Sequence, residues 1–302
     1  MPKKSKVKLH GLVTALITPF DALGRVDTDA LSNLVRLQIA KGAAGLFPCG
    51  STGLGPLLKP EERMEVAETV VREASGKVPI AVQVGCADTP TTVKLARHAE
   101  KIGADLVASL TPYYYHPGEK AVVRHFESVA LSVDIPLLAY NIPQFTGNNL
   151  LPATVAALAK AGTIAGVKDS SRDVLHLLDL LEMVPEDFVV MNGTEEYALI
   201  AMMMGGDGLV SGGANAFPEL FRSLVASHRA KDYAAATNAQ RRILEFKEAV
   251  KVAPIPSYYE ILRSRGIDCG NPRPPFLPLE NETAVQVVEK VTRIRHKLEK
   301  KK

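Results

Sequence analysis

Pro136-Leu137-Leu138-Ala139-Tyr140, followed by residues 152–160 and then by Ile164-Ala165-Gly166-Val167-Lys168, is the stretch that decides the fold. Its outer runs are short and apolar, as strands buried on both faces are. The middle segment opens on Pro152 and has helical spacing. Strand, helix, strand is the repeating unit of a parallel sheet.

The alternation continues in both directions. Further β-rich runs occupy residues 12–17, 45–48, 79–84, 105–109, 188–191 and 208–211, which brings the number to eight. Amphipathic segments lie between them at 29–40, 60–74, 89–102 and 121–132, several opening on Asp, Thr or Pro. Eight such units predict an α/β fold, the closed (β/α)8 TIM barrel. A doubly wound open sheet also alternates, but it carries a Gly-rich phosphate turn after its first strand, and residues 12–19 contain none.

After Ser211 come helical segments at 218–230, 232–250, 257–265 and 282–298, with no Gly/Ser-rich or Pro-rich linker before them. Pro272-Arg273-Pro274-Pro275 is too brief for an interdomain hinge. Residues 1–302 therefore read as one barrel domain with additional C-terminal helices from about residue 218. At 46% hydrophobic and 23% charged residues, the composition supports a large core and excludes disorder.

The formal charge of +3 is small, and much of it sits in Lys3, Lys4, Lys6 and Lys8 and in Lys297, Lys300, Lys301 and Lys302. Without those tails no basic surface remains, so nucleic acid is not an expected partner. Cys49, Cys86 and Cys269 are odd in number and lack Cys-x-x-Cys spacing, which fits a reducing compartment. No apolar leader precedes Gly11 and no run reaches membrane-spanning length, so a soluble cytoplasmic protein is expected, with no membrane partner.

In such a barrel, chemistry collects at the C-terminal ends of the strands. Four places stand out there: Gly50-Ser51-Thr52-Gly53, Tyr113-Tyr114-Tyr115, Tyr140-Asn141 and Lys168. At the barrel mouth, loss of water favours the uncharged amine of Lys168, a nucleophile toward ketones. Solvation or pairing with Asp169 is the plainer reading of a lysine at a strand end. Tyr140, at the neighbouring strand end, has a hydroxyl suited to shuttling protons during imine formation, though a phenol there also caps a core. Gly50-Ser51-Thr52-Gly53 offers two hydroxyls and backbone N–H groups to a small carboxylate, or is a simple turn. It lacks the lysine of a nucleotide-binding loop. No histidine has metal-ligand spacing, and an iminium at Lys168 withdraws electrons as a Lewis acid would, so no metal or other cofactor is expected.

Thr18-Pro19-Phe20, Gly50-Ser51-Thr52-Gly53, Thr111-Pro112-Tyr113-Tyr114, Tyr140-Asn141-Ile142-Pro143, Gly166-Val167-Lys168-Asp169 and Gly205-Gly206-Asp207-Gly208 span nearly the whole chain. In that order they resemble the dihydrodipicolinate synthase/N-acetylneuraminate lyase superfamily of pyruvate-dependent class I aldolases. The resemblance implies a Schiff base between Lys168 and pyruvate, with Tyr140 transferring protons. Ser51 and Thr52 would hold the pyruvate carboxylate, Ser51 also linking a hydroxyl relay. Tyr114 resembles the tyrosine that completes a neighbouring subunit's relay, which implies a homotetramer, a dimer of dimers. Gly193 and Val210 resemble walls of the pyruvate pocket.

Departures from the pattern bear on the second substrate. Synthases resemble Gly-Thr-Thr-Gly-Glu in the first motif and carry an arginine shortly after Tyr-Asn-x-Pro, where this chain has Leu54 and Phe145. A neutral ring cannot replace a charge-assisted bond of about 1.5–3 kcal/mol. Gly53-Leu54-Gly55-Pro56, Val107-Ala108-Ser109-Leu110 with Tyr113-Tyr114-Tyr115, and residues 270–279 resemble archaeal 2-keto-3-deoxygluconate aldolases. Members that also take the phosphorylated acid resemble Tyr-Tyr-Tyr-Pro-Arg and Tyr-Asn-Tyr-Pro where His116-Pro117 and Ile142 stand here, so the unphosphorylated acid is expected. The expected reaction is reversible cleavage of 2-keto-3-deoxygluconate, or a related sugar acid, to pyruvate and glyceraldehyde. The alternatives are 4-hydroxy-tetrahydrodipicolinate synthase, another pyruvate lyase of this family, and a silent barrel that only binds a keto acid.

Overall fold

The computed structural model describes residues 9–299. Of the lysines named above, Lys3, Lys4, Lys6, Lys8, Lys300, Lys301 and Lys302 lie outside that range.

Eight parallel strands form the expected barrel: β1 (Gly11–Ala15), β2 (Gly45–Phe47), β3 (Ala81–Gln83), β4 (Leu106–Leu110), β5 (Leu137–Asn141), β6 (Gly166–Asp169), β7 (Val189–Asn192) and β8 (Gly208–Ser211). They run in the order β2-β1-β8-β7-β6-β5-β4-β3. The ring closes between β2 and β3 through a parallel bridge from Leu46 to Ile80. Gln83 N–H adds a bond to Pro48 O at 3.2 Å. β1 ends two residues earlier than the apolar run suggests, because Asn215 Oδ1 takes the N–H of Ile17 at 3.1 Å and draws it off the ladder.

The helices are α1 (Thr28–Ala40), α2 (Pro60–Ala74), α3 (Thr89–Lys101), α4 (Glu119–Ala130), α5 (Pro143–Thr146), α6 (Pro152–Lys160), α7 (Val174–Met183), α8 (Ala198–Met203), α9 (Pro218–Arg229), α10 (Tyr233–Val250), α11 (Pro254–Ser264) and α12 (Asn281–Glu299). Asp27, Asp88, Asp173 and Asp232 accept backbone N–H groups at the starts of α1, α3, α7 and α10, satisfying donors that a helix start leaves open. α11 begins three residues before its expected start, since Pro254 is prearranged for a first turn and Ala253 O accepts the N–H of Ser257.

The two-residue period of the strands divides the core. Val13, Phe47, Ala81, Ala108, Leu138, Tyr140, Met191 and Val210 pack together inside the barrel. Leu12, Leu46, Val82, Val107, Leu137, Val167, Val190 and Leu209 face the helices in a second cluster that reaches Ile294 of α12. Truncating a buried leucine such as Leu138 to alanine costs about 2–5 kcal/mol. The helices after β8 share that second cluster, and Tyr259 of α11 donates to Thr18 O at 2.7 Å, tying them to the barrel mouth. No described helix is long and apolar enough to cross a membrane.

One buried histidine links three of these elements. His125 of α4 meets Thr89 Oγ1 of α3 at 2.9 Å and Ser109 Oγ of β4 at 3.2 Å. Burial holds its pKa down to about 4, from 6.5. Between those values the unfolded chain binds a proton that the fold refuses, so stability is full above the higher value and falls as the pH drops toward the lower. The expected slope is about 1.4 kcal/mol per pH unit. Urea unfolding across that window should show it, and His125→Gln should flatten it.

Candidate active site

β5 and β6 bring the two expected reactive side chains together. Their register sets Tyr140 opposite Lys168 and Asn141 opposite Asp169. Alternation then sends the first pair into the barrel and the second pair away from it. Lys168 is 4% exposed. Its Nζ lies 3.9 Å from the ring centre of Tyr140 and 4.4 Å from that of Phe47. The two rings meet edge to face, 5.7 Å apart at 85°. The amine thus sits nearly buried in an aromatic slot at the cavity wall, and it makes no hydrogen bond or ion pair among the described residues.

Pairing of Lys168 with Asp169 is not what the structure contains. Asp169 accepts from Asn141 Nδ2 at 2.9 Å and from Ser171 Oγ at 2.7 Å, and lies 3.5 Å from His176 Nε2. Burial pushes its carboxyl pKa up, against these partners. Asn141 Nδ2 also donates to Asn149 Oδ1 at 2.9 Å, and its own oxygen accepts the N–H of Leu150. This network fixes the backbone beneath both reactive side chains.

The Gly50-Ser51-Thr52-Gly53 loop approaches from β2. Ser51 Oγ is 3.3 Å from Tyr140 OH. Cys49 and Leu54, on either side, take left-handed φ values of 59° and 55°, a conformation that turns the loop into the mouth. Thr18 Oγ1 secures it by donating to Gly53 O at 2.7 Å. The N–H groups of Ser51 and Thr52 make no hydrogen bond among the described residues, so hydroxyls and N–H groups alike remain for an anion. Thr52 needs Gly212 beside it, where a Cβ would stand 2.7 Å from its Oγ1.

These residues line a cavity of about 540 Å³ that also includes Gly193 at the end of β7 and Val210 on β8. Tyr114 does not reach it. That residue is 83% exposed, has a φ of 79°, and rests edge-on against Tyr115. Phe145 is at the cavity rim and 68% exposed.

Several lining residues escape a reading of the sequence. Glu195 and Glu196 lie three and four residues past the end of β7, just beyond Gly193. Ser170 and Arg172 lie just past Lys168 on the way to α7. Lys247 and Tyr258 come from α10 and α11, and nothing local marks them. Glu195 is buried; its Oε1 accepts Ser211 Oγ at 2.6 Å and Gly213 N–H at 2.8 Å, and its Oε2 is 3.0 Å from Lys247 Nζ. Burial opposes the charge on Glu195, yet Lys247 and those two donors outweigh it and hold the carboxyl below its usual range. Glu195 in turn raises the pKa of Lys247.

Residues 8–294 match the dihydrodipicolinate synthetase family. The chain belongs to that family. A 4-hydroxy-tetrahydrodipicolinate synthase of Chlorobium phaeobacteroides is 38% identical over 277 residues, covering 91% of this chain and 93% of that one. Among solved structures, a variant of the Sulfolobus solfataricus 2-keto-3-deoxygluconate aldolase is 30% identical, with a TM-score of 0.89 over 96% of this chain and 98% of its own. YagE of Escherichia coli K12, a prophage protein of the dihydrodipicolinic acid synthase family solved with pyruvate, is 28% identical, with a TM-score of 0.92 over 96% and 99%. As a family member the chain is an enzyme, a pyruvate-dependent class I lyase. A silent keto-acid-binding barrel is thereby set aside.

Gly193 tests how tightly the site is packed. A Cβ there would stand 2.0 Å from Ser170 Oγ and 3.1 Å from both Asp169 O and Lys168 Cε. The serine hydroxyl can rotate away, but the lysine must shift. Gly193→Ala should cost about 1–3 kcal/mol in thermal unfolding and lower lyase turnover on the order of tenfold or more. Adding Ser170→Ala should return part of the stability.

Proposed function

We propose that this lyase is a Schiff-base aldolase that reversibly cleaves 2-keto-3-deoxygluconate, or a related 2-keto-3-deoxy sugar acid, to pyruvate and glyceraldehyde. The observation that carries the chemistry is the Lys168 amine in its aromatic slot, against the ring of a tyrosine whose hydroxyl is 3.3 Å from Ser51 Oγ. What favours a sugar acid is Phe145 at the rim, a neutral ring where the resemblance puts the arginine that synthases use for the semialdehyde's carboxylate.

The neutral Lys168 amine attacks the C2 ketone, forming a carbinolamine. Tyr140 gives a proton to the departing hydroxyl, water leaves, and the iminium remains. Ser51 and Thr52 hold the adjacent carboxylate with hydroxyls and N–H groups, while Gly193 and Val210 shape the wall around the methylene carbon. The Tyr140 phenolate left by that step takes the C4 hydroxyl proton, the C3–C4 electron pair moves into the iminium, and glyceraldehyde leaves. Tyr140 returns that proton to C3 of the enamine, and water then adds to the iminium and gives its proton back to Tyr140 as pyruvate and free Lys168 are released. The iminium is the electron sink, so the reading asks for no metal or other cofactor.

Tyr114, exposed and strained, suits a role in the relay of a neighbouring subunit, and we extend the proposal to a homotetramer built as a dimer of dimers. Three buried, unpaired cysteines support a reducing cytoplasm. A second reading, 4-hydroxy-tetrahydrodipicolinate synthase, draws support from the name of the Chlorobium relative.

Borohydride reduction in the presence of pyruvate should leave a covalent adduct on the native enzyme and none on Lys168→Ala; an adduct at full yield in that variant sinks the imine. Tyr140→Phe keeps the ring against Lys168 and removes the hydroxyl, so pyruvate release should fall about 10²–10⁴-fold while trapping slows but persists.

A further inference from the structure

The cavity contains three basic side chains, Lys168, Arg172 and Lys247. On the aldolase reading, on which this inference rests, Lys168 is committed to the imine. Lys247 is committed to carboxylates, at 3.0 Å from Glu195 and 3.6 Å from Glu196. Arg172 makes no hydrogen bond or ion pair among the described residues, and it is exposed. It is the uncommitted cation of the site.

Its backbone is held in place from both sides. Ser170 N–H donates to Asn141 O at 2.8 Å, and Gln144 Nε2 donates to Ser170 O at 2.9 Å. Ser171 Oγ donates to Asp169 Oδ2 and accepts the N–H of Asp173, and Asp173 in turn caps α7. Between these anchors Arg172 has a φ of 64°, a left-handed conformation that glycine adopts freely and a branched chain does not. A strained residue that lines a site points to use of its side chain.

Topology supplies the direction. β2 and β6 stand four strands apart in the eight-stranded ring, on opposite sides of the mouth. Ser51 and Thr52 follow β2, and Arg172 follows β6. A keto acid whose carboxylate lies at Ser51 and Thr52 and whose C2 is bound to Lys168 therefore has the β6 side of the mouth for its far end.

We propose that Arg172 selects an aldehyde partner carrying an oxyanion at its far end, either a phosphate ester or a carboxylate. The planar guanidinium matches both groups with two parallel N–H bonds. The expectation of an unphosphorylated sugar acid rests on His116-Pro117 and Ile142. Arg172 enters the cavity lined by Ile142 from the loop after β6. Selection by Arg172 thus moves the preferred sugar acid toward its phosphorylated form.

The test is condensation of pyruvate with glyceraldehyde, glyceraldehyde 3-phosphate or aspartate semialdehyde by the native enzyme, Arg172→Gln and Arg172→Gly. The glycine variant suits the left-handed backbone and guards against loss of fold. Expected is a KM for a charged aldehyde on the order of tenfold higher in both variants, with glyceraldehyde little changed and borohydride trapping of pyruvate intact. Whichever charged aldehyde shows the effect identifies phosphate or carboxylate as the group held. Equal KM values for charged and neutral aldehydes in the native enzyme, or equal losses for all in the variants, overturn the role of Arg172 and leave the aldolase reading standing. Arg172-dependent use of aspartate semialdehyde alone would overturn the sugar-acid reading and keep Arg172.

Discussion

The ladder between β5 and β6 places Tyr140 against Lys168, and every other feature of the site depends on that register. A slip of β6 by one residue against β5 would turn Lys168 out toward the helices and put Asp169 inside the barrel. The alternative is costly twice over. It would bring a carboxylate into the apolar interior formed by Leu138, Met191 and Val210, and it would strip Asp169 of its bonds to Asn141 and Ser171. Leaving a buried charge without its partners costs about 3–5 kcal/mol. The polar network on the outer face thus enforces the position of the reactive pair on the inner one.

A second constraint acts from outside the barrel. The far wall of the cavity carries Glu195, whose charge would be unfavourable in so buried a place without Lys247. Lys247 arrives on α10, and Tyr258 of α11 stacks on Phe246 of α10 with ring centres 6.3 Å apart. The helices that follow β8 therefore complete the site as well as the core. Glu195 also receives Ser211 at the end of β8, next to Val210, so hydrogen bonds and an ion pair join α10 to the Val210 wall of the cavity.

Fold and site differ in how much of each is legible in the sequence. Strands are legible because a parallel barrel buries both faces, leaving continuous apolar runs such as residues 136–140 and 164–168. Helix starts are legible from Asp and Pro at first turns. Lys168, Tyr140, Ser51 and Thr52 are legible because they end or closely follow strands. Phe47, which forms half of the slot around Lys168, reads only as core, since its role depends on a neighbour distant in sequence. Lys247 is illegible for the same reason, and Arg172 because the left-handed turn that carries it is imposed by Asp169 and Asp173 through Ser171.

The division of labour among the polar groups follows from the charge on the intermediate. On the aldolase reading, the working state is an iminium, a cation created at Lys168. A fixed guanidinium close to it would disfavour that cation, whereas hydroxyls and backbone N–H groups grip the adjacent carboxylate without adding charge. Ser51 and Thr52 supply that neutral grip on one side of the mouth. Glu195 is paired with Lys247 and hydrogen-bonded by Ser211 and Gly213, so its charge is largely offset. An exposed Arg172 after β6 is screened by water from the reacting centre yet free to hold an anion at the far end. On the proposed roles, neutral donors at the near end and a cation at the far end would hold a second anion while keeping the electron sink effective.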